Sequence, residues 1–184
     1  MTSQTKGTVL ITGASSGIGA VYADRFAARG HDLILVARNQ DRLTAIADKL
    51  TTRHGVKVKT MVADLTARDD LAKVEAVLAT DASITHLVNN AGFGSAAPLA
   101  SAAVDEMEKM VAINVTAPLR LTYAAVPQFV ARKQGTIINI ASIVAIGPEV
   151  LNGVYGGTKS FVLAFSQSLR KELAGTGVHV QVVL

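Results

Sequence analysis

Six times in 184 residues a short run rich in β-branched and aliphatic side chains appears, and longer stretches with helical periodicity separate these runs; no two-residue hairpin turn joins one run to the next. The runs are "TVLIT" (8–12), "DLILVA" (32–37), "KVKTMVA" (57–63), "HLVNNA" (86–91), "GTIINIAS" (135–142) and "VHVQVVL" (178–184). Helices are predicted between them over 17–29, 39–52, about 67–79, about 104–131 and 154–174. In the second of these, Leu43, Ile46, Ala47 and Leu50 share one face. Strands joined only through helices must pair in parallel with right-handed crossovers, and a parallel sheet needs helices over both of its faces. The pattern therefore predicts a doubly wound α/β fold of six strands, in one domain over 1–184. Sheets of this kind bind ligands beyond the carboxyl ends of their strands, so chemistry is to be sought there.

Composition narrows the ligand. The chain is 49% apolar and 17% charged, with a net charge of +4. Lysines and arginines are scattered; Arg53–His54, Arg132–Lys133 and Arg170–Lys171 are the adjacent basic pairs, and no aromatic residues interleave with them. That argues against nucleic acid or a membrane surface as partner and favours a small anionic ligand. The chain has no cysteine, which excludes disulfides and thiol catalysis. "MTSQTKG" at the start has no apolar core and is not read as a signal peptide. No apolar run approaches the roughly 20 residues of a membrane span. His31, His54, His86 and His179 lie far apart without ligand spacing, so no metal site is predicted. A cytoplasmic location is expected.

The first strand runs into "TGASSGIGA", which places Gly13, Gly17 and Gly19 in the turn and at the helix start. Glycine there permits a tight turn and close backbone approach to a pyrophosphate. Exposed amides and the positive helix end then cradle the anion, helped by the hydroxyls of Ser15 and Ser16. At the end of the second strand an NAD site wants a carboxylate for the ribose hydroxyls, yet the sequence reads Ala37–Arg38–Asn39. A guanidinium at that point suits a 2′-phosphate, and NADPH is the expected cofactor.

Tyr155 and Lys159 stand four apart at the start of the helix after the fifth strand, and so on one helical face. An ammonium beside a phenol favours the phenolate, and the helix N-terminus adds to this. Such a tyrosine exchanges a proton with a carbonyl or alcohol oxygen while a nicotinamide supplies or accepts hydride. Ser142 ends the fifth strand, where its hydroxyl can bond the same oxygen. "NNAG" (89–92) ends the fourth, with Gly92 permitting backbone contact near a nicotinamide ribose, and "ADL" (63–65) ends the third, with Asp64 placed to accept from an adenine amine. Pro118 has no N–H for the carbonyl four residues back, that of Asn114, so a local kink is predicted. From this we expect a water relay between Asn114 and Lys159.

In this order "TGASSGIG", "ADL", "NNAG", "INV", "NIAS" and "YGGTK" resemble the short-chain dehydrogenase/reductase family over essentially the whole chain. The resemblance implies a Rossmann-type fold and a catalytic tetrad of Asn114, Ser142, Tyr155 and Lys159. It implies a cofactor set that adds Ile18, Leu65, Asn90 and Ala91 to Gly13, Ser15, Ser16, Gly17, Gly19, Arg38, Asp64 and Gly92, with Tyr155 and Lys159. The Arg38 pattern resembles the branch that prefers NADP(H) over NAD(H), and family members are often homodimers or homotetramers. "NNAGFG" and "SFVLAFSQSL" are similar to broadly assigned oxidoreductases and not to enoyl reductases, whose tyrosine and lysine lie further apart. Family members continue past the sixth strand with Pro-Gly, a substrate-covering segment and a further strand, whereas this sequence stops at "QVVL". The expectation is a chain lacking the segment that usually chooses the substrate.

Two readings follow. The first is an NADP(H)-dependent oxidoreductase that reduces a carbonyl to a secondary alcohol, reversibly, with Tyr155 as acid/base. The alternative is a nucleotide-binding protein without turnover, either a sensor or an inactive truncated fragment. Sugar epimerisation on the same scaffold usually needs a larger substrate domain than this sequence supplies.

Overall fold

The computed structural model describes residues 6–150 and 152–184; residues 1–5, where the start of the chain was read as no signal peptide, lie outside the described residues. Six strands are present: β1 (Thr8–Thr12), β2 (Asp32–Ala37), β3 (Val58–Val62), β4 (Ile84–Asn89), β5 (Gly135–Ile140) and β6 (Val178–Val183). They form one sheet in the order β3-β2-β1-β4-β5-β6, every neighbouring pair parallel. The connecting helices are α1 (Gly17–Ala27), α2 (Gln40–His54), α3 (Arg68–Thr80), α4 (Val104–Val111), α5 (Ala117–Ala131) and α6 (Gly153–Glu172). This is the doubly wound, Rossmann-type arrangement that the strand–helix alternation predicts.

Strand side chains alternate between the two faces, and both faces are covered. On one, Val9, Ile11, Leu33 and Leu35 pack with Ala23 and Ala27 of α1 and Leu43 and Leu50 of α2. On the other, Leu10, Ile34, Leu87 and Ile137 meet α3 through Val74 and Leu78, α5 through Leu121 and Phe129, and α6 through Leu169. Each fully buried aliphatic side chain contributes roughly 1.5–3 kcal/mol. Strand β1, buried along its whole length, is the centre of both layers.

Most element ends shift by one or two residues from the sequence reading, and three differences near the site have a local reason. The fourth strand lies two residues earlier than 86–91, because Asn90 and Ala91 leave the ladder: both backbone N–H groups donate to the Thr12 hydroxyl, each at 3.0 Å. The fifth strand stops at Ile140, so Ser142 sits beyond it at the head of a 3₁₀ turn, Ile143–Ala145. The long helix over 104–131 is interrupted by a π turn, Ala112–Thr116, in which the Ala117 N–H reaches back to the Ala112 carbonyl. Pro118 follows at once and has no N–H to extend the regular ladder; the π turn is where the predicted irregularity is absorbed.

At the amino ends of the central strands, His31 and His86 pack edge to face with ring centroids 5.0 Å apart. Phe26 lies 5.3 Å from each. Burial, and secondarily His31, push the His86 imidazole down to about 4. Burial also lowers His31. Among the described residues no helix is long and apolar enough to cross a membrane.

Candidate active site

From β1 the chain winds outward in opposite directions, to β2 and β3 on one side and to β4, β5 and β6 on the other. At this switch point, beyond the carboxyl ends, lies a cavity of about 950 Å³. The glycine loop forms its floor. Gly13 and Gly17 have φ of 65° and 53°, left-handed values that favour glycine. A Cβ on Gly13 would lie 2.9 Å from the Ala91 Cα. Ser16 is the N-cap of α1 but makes no side-chain capping bond, leaving the first-turn amides open to a ligand. Ser15, Ser16 and Ile18 line the cavity. Gly19 does not; it is buried where a side chain would overlap the Gly13 carbonyl, so it serves close packing of helix on strand.

Arg38 follows β2 at one end of the cavity, and Arg42 lines the same end from the first turn of α2. The Asn39 side chain caps that helix by accepting from the Arg42 N–H at 2.8 Å. Arg42 escaped the sequence reading; the signal was its four-residue spacing from Arg38 across a helix start. Asp64 and Leu65 line the wall after β3. One Asp64 carboxylate oxygen accepts from the Thr66 N–H at 3.0 Å and from the Thr66 hydroxyl at 2.8 Å, which fixes the turn.

Asn90, Ala91 and Gly92 line the middle of the cavity. The Asn90 amide donates to the carbonyls of Thr12 at 2.9 Å and Gly13 at 3.2 Å, tying this loop to the glycine loop. Asn114 is 2% exposed and stands behind the loop, outside the lining. Its side-chain amide donates to the Phe93 carbonyl at 2.9 Å and to the Thr158 hydroxyl at 3.1 Å, and its oxygen accepts from the Phe93 N–H at 3.2 Å. The loop after β4 is thereby held to α6.

Tyr155 and Lys159 line the far end, the ammonium 6.0 Å from the phenol ring centroid. Asn152 caps α6, accepting from the N–H groups of Val154 and Tyr155 at 2.9 and 3.3 Å. Gly94, also unforeseen from sequence, packs on the tyrosine: a Cβ there would lie 3.0 Å from the ring. Lys159 is 7% exposed, and its ammonium donates to the Ile140 carbonyl at 2.9 Å. Burial lowers it to about 8. Ser142 is not part of the lining, although its neighbour Ala141 is. Its hydroxyl accepts from the Val144 N–H at 3.4 Å, and the turn it heads is bonded to α6 by Ser160, whose hydroxyl donates to the Ala145 carbonyl at 3.0 Å.

The open helix start, the glycine that tolerates no side chain and the two arginines of the lining fit a dinucleotide with an extra phosphate. The family model for short chain dehydrogenase matches residues 7–184. The chain belongs to the short-chain dehydrogenase family. It is an oxidoreductase acting between CH–OH and C=O groups. A short-chain dehydrogenase from Sphingobium yanoikuyae in complex with NADPH superimposes with a TM-score of 0.95 at 49% identity, over 97% of this chain and 70% of that one. The bulky-bulky ketone specific alcohol dehydrogenase from Comamonas testosteroni has a TM-score of 0.96 at 45% identity, over 98% of this chain and 73% of that one. The very-long-chain 3-oxoacyl-CoA reductase of Bos taurus is 35% identical over 179 residues. That match covers 95% of this chain, which spans 57% of the bovine enzyme.

Proposed function

We propose that this short-chain dehydrogenase is an NADPH-preferring carbonyl reductase that forms a secondary alcohol and works reversibly. The observation that carries the reading is one cavity with Arg38 and Arg42 at one end and the Tyr155–Lys159 pair at the other. The arginines would hold a 2′-phosphate, the amides of Gly17 and Ile18 the pyrophosphate, Asp64 and Leu65 the adenine side, and Asn90–Gly92 the nicotinamide ribose. NADPH held there would supply the hydride for the carbonyl carbon.

Tyr155 gives its hydroxyl proton to the carbonyl oxygen and takes it back in the oxidative direction. Lys159, held by Ile140, keeps positive charge beside the phenolate that remains and offers a further donor to the ribose. Ser142 orients the carbonyl through its hydroxyl. Asn114 holds the Gly92–Phe93 backbone against α6, and its main-chain carbonyl takes part in a water relay from Lys159 to solvent. The site belongs to a single domain, acts on a small-molecule substrate in the cytoplasm, and works within a homodimer or homotetramer.

The test is parallel titration with NADPH and NADH by nicotinamide fluorescence, then ketone-dependent NADPH oxidation by the chain and by Tyr155→Phe. Tight NADPH, weak NADH, turnover, and an inactive variant that still binds NADPH are the expected results. Retained turnover in Tyr155→Phe would remove the tyrosine from its role; binding without turnover of any carbonyl would favour a nucleotide-binding protein.

A further inference from the structure

Beside the cavity lies a buried polar chain, none of whose side chains lines it. Asn89, at the end of β4, and Asn139, in β5, are register partners pointing to the same face. The Asn89 amide donates to the Asn139 side-chain oxygen at 2.8 Å and to the Thr122 hydroxyl of α5 at 3.2 Å. The Asn139 amide donates to the Ser166 hydroxyl of α6 at 2.9 Å, and that hydroxyl donates to the Val162 carbonyl at 2.6 Å. Asn89, Asn139, Thr122 and Ser166 are 6%, 0%, 1% and 2% exposed. Four polar side chains at this depth replace apolar packing that the rest of the layer uses, and buried amides are costly unless each partner is in place. Among the described residues the Asn89 side-chain oxygen is the buried side-chain polar atom left without a partner. The other side-chain nitrogen and oxygen atoms of these four residues have partners, so the network is built from directed bonds and not from filling alone.

Its members sit on the elements that carry the site. Asn89 directly precedes Asn90–Gly92, and Asn139 lies three residues before Ser142. Thr122 follows Asn114 on the same run of helix, and Ser166 follows Lys159 by seven residues. Tyr155, Lys159, Val162 and Ser166, at spacings of four, three and four, form one stripe of α6. A bond from Ser166 to Asn139 therefore fixes both the rotation of α6 about its axis and its height against β5.

We infer that Ser166, Asn139, Asn89 and Thr122 are positioning residues that set Tyr155 and Lys159 against the strand ends bearing Ser142 and Asn90. The inference rests on the catalytic reading given above. Displacements near 1 Å at a reacting pair can cost as much as 10²-fold in rate.

Ser166→Ala removes the link to α6 while leaving the phosphate loop untouched. The expected result is a kcat for ketone reduction lowered about tenfold or more, with the NADPH Kd changed by no more than about twofold. Thr122→Val, which keeps shape and loses the hydroxyl, lowers kcat in the same selective way, and Thr122→Ser, which keeps the hydroxyl, restores it. The proposal is overturned by an undiminished kcat in Ser166→Ala, by equal losses in kcat and NADPH binding, or by Thr122→Ser being as damaging as Thr122→Val. Should Ser166→Ala not fold, the Thr122 pair decides alone. A wild-type chain that reduces no ketone sinks the catalytic reading and this proposal together; a working wild type beside a working Ser166→Ala sinks this proposal alone.

Discussion

The Lys159 ammonium lies 2.9 Å from the Ile140 carbonyl, one hydrogen bond holding a charge in a place that is 7% exposed. Burial lowers this lysine from 10.5 to about 8, so the unfolded chain binds its proton more readily than the folded one. Below pH 8 the full cost is present, on the order of 3 kcal/mol from the size of the shift, and it vanishes above the unfolded value. Lys159→Met removes the charge and leaves the Ile140 carbonyl unpaired, which returns about 1 kcal/mol of that gain. The variant should melt several degrees higher than the parent at pH 7 without cofactor, the difference shrinking toward pH 10.5, while ketone reduction is lost. Calorimetry at the two pH values, beside an activity assay, checks both halves.

The same titration limits catalysis from the alkaline side. With the ammonium as the working form, kcat/KM for reduction falls as pH rises through about 8. A pH–rate profile without an alkaline limb in that region would contradict the role given to Lys159.

Arg38 and Arg42 line the same end of the cavity. A charge-assisted hydrogen bond contributes about 1.5–3 kcal/mol, so Arg38→Ala should weaken NADPH about 10- to 100-fold. Arg42→Ala should weaken it to a lesser or similar degree, and neither change should alter NADH binding by more than about twofold. Fluorescence titration of each variant with both nucleotides separates a phosphate contact from a general loss of charge.

The buried His31–His86 pair should make the fold acid-sensitive. His86 is lowered from 6.5 to about 4, so its stabilising effect is complete above pH 6.5 and is lost as pH falls through 4. The loss amounts to about 3 kcal/mol at most. His86→Leu should flatten urea-unfolding free energies between pH 6.5 and 4, where the parent declines. A parallel decline in both proteins would assign the acid sensitivity elsewhere.

Pro118 supplies no N–H to the ladder directly after the π turn. Pro118→Ala restores a donor that can occupy the Asn114 carbonyl, so proton release through the relay should slow. A solvent isotope effect on kcat larger than the parent's is the expected reading; an unchanged kcat and pH profile would remove the relay.

The fold was legible because its information is periodic. The short β-branched and aliphatic run of β1, buried throughout, and the stripe of Leu43, Ala47 and Leu50 on α2 are local patterns that burial obeys. The glycine loop and the Tyr155–Lys159 spacing were legible because each is short in sequence and close in space. What escaped is carried by side chains distant in sequence. The early end of β4 depends on Thr12, 78 residues before Asn90. The clamp by Asn114 depends on Phe93, and the tight seat of Tyr155 on Gly94. The π turn depends on a choice of backbone hydrogen-bond spacing that no single residue announces. Arg42 was hidden differently: on a helical pattern it reads as one more solvated arginine until Asn39 is seen to start the helix beside Arg38.

Ser16 begins α1 without capping it. A helix that is not closed by its own side chains at that end leaves first-turn amides without an intrahelical partner, and the exposed ones should exchange fast. On the proposed reading the dinucleotide phosphates would act as part of the secondary structure, completing the first turn of α1 as a cap residue does elsewhere. Binding should be recorded in the backbone itself, as slowed deuterium uptake at Gly17 and Ile18, before any chemistry occurs at Tyr155.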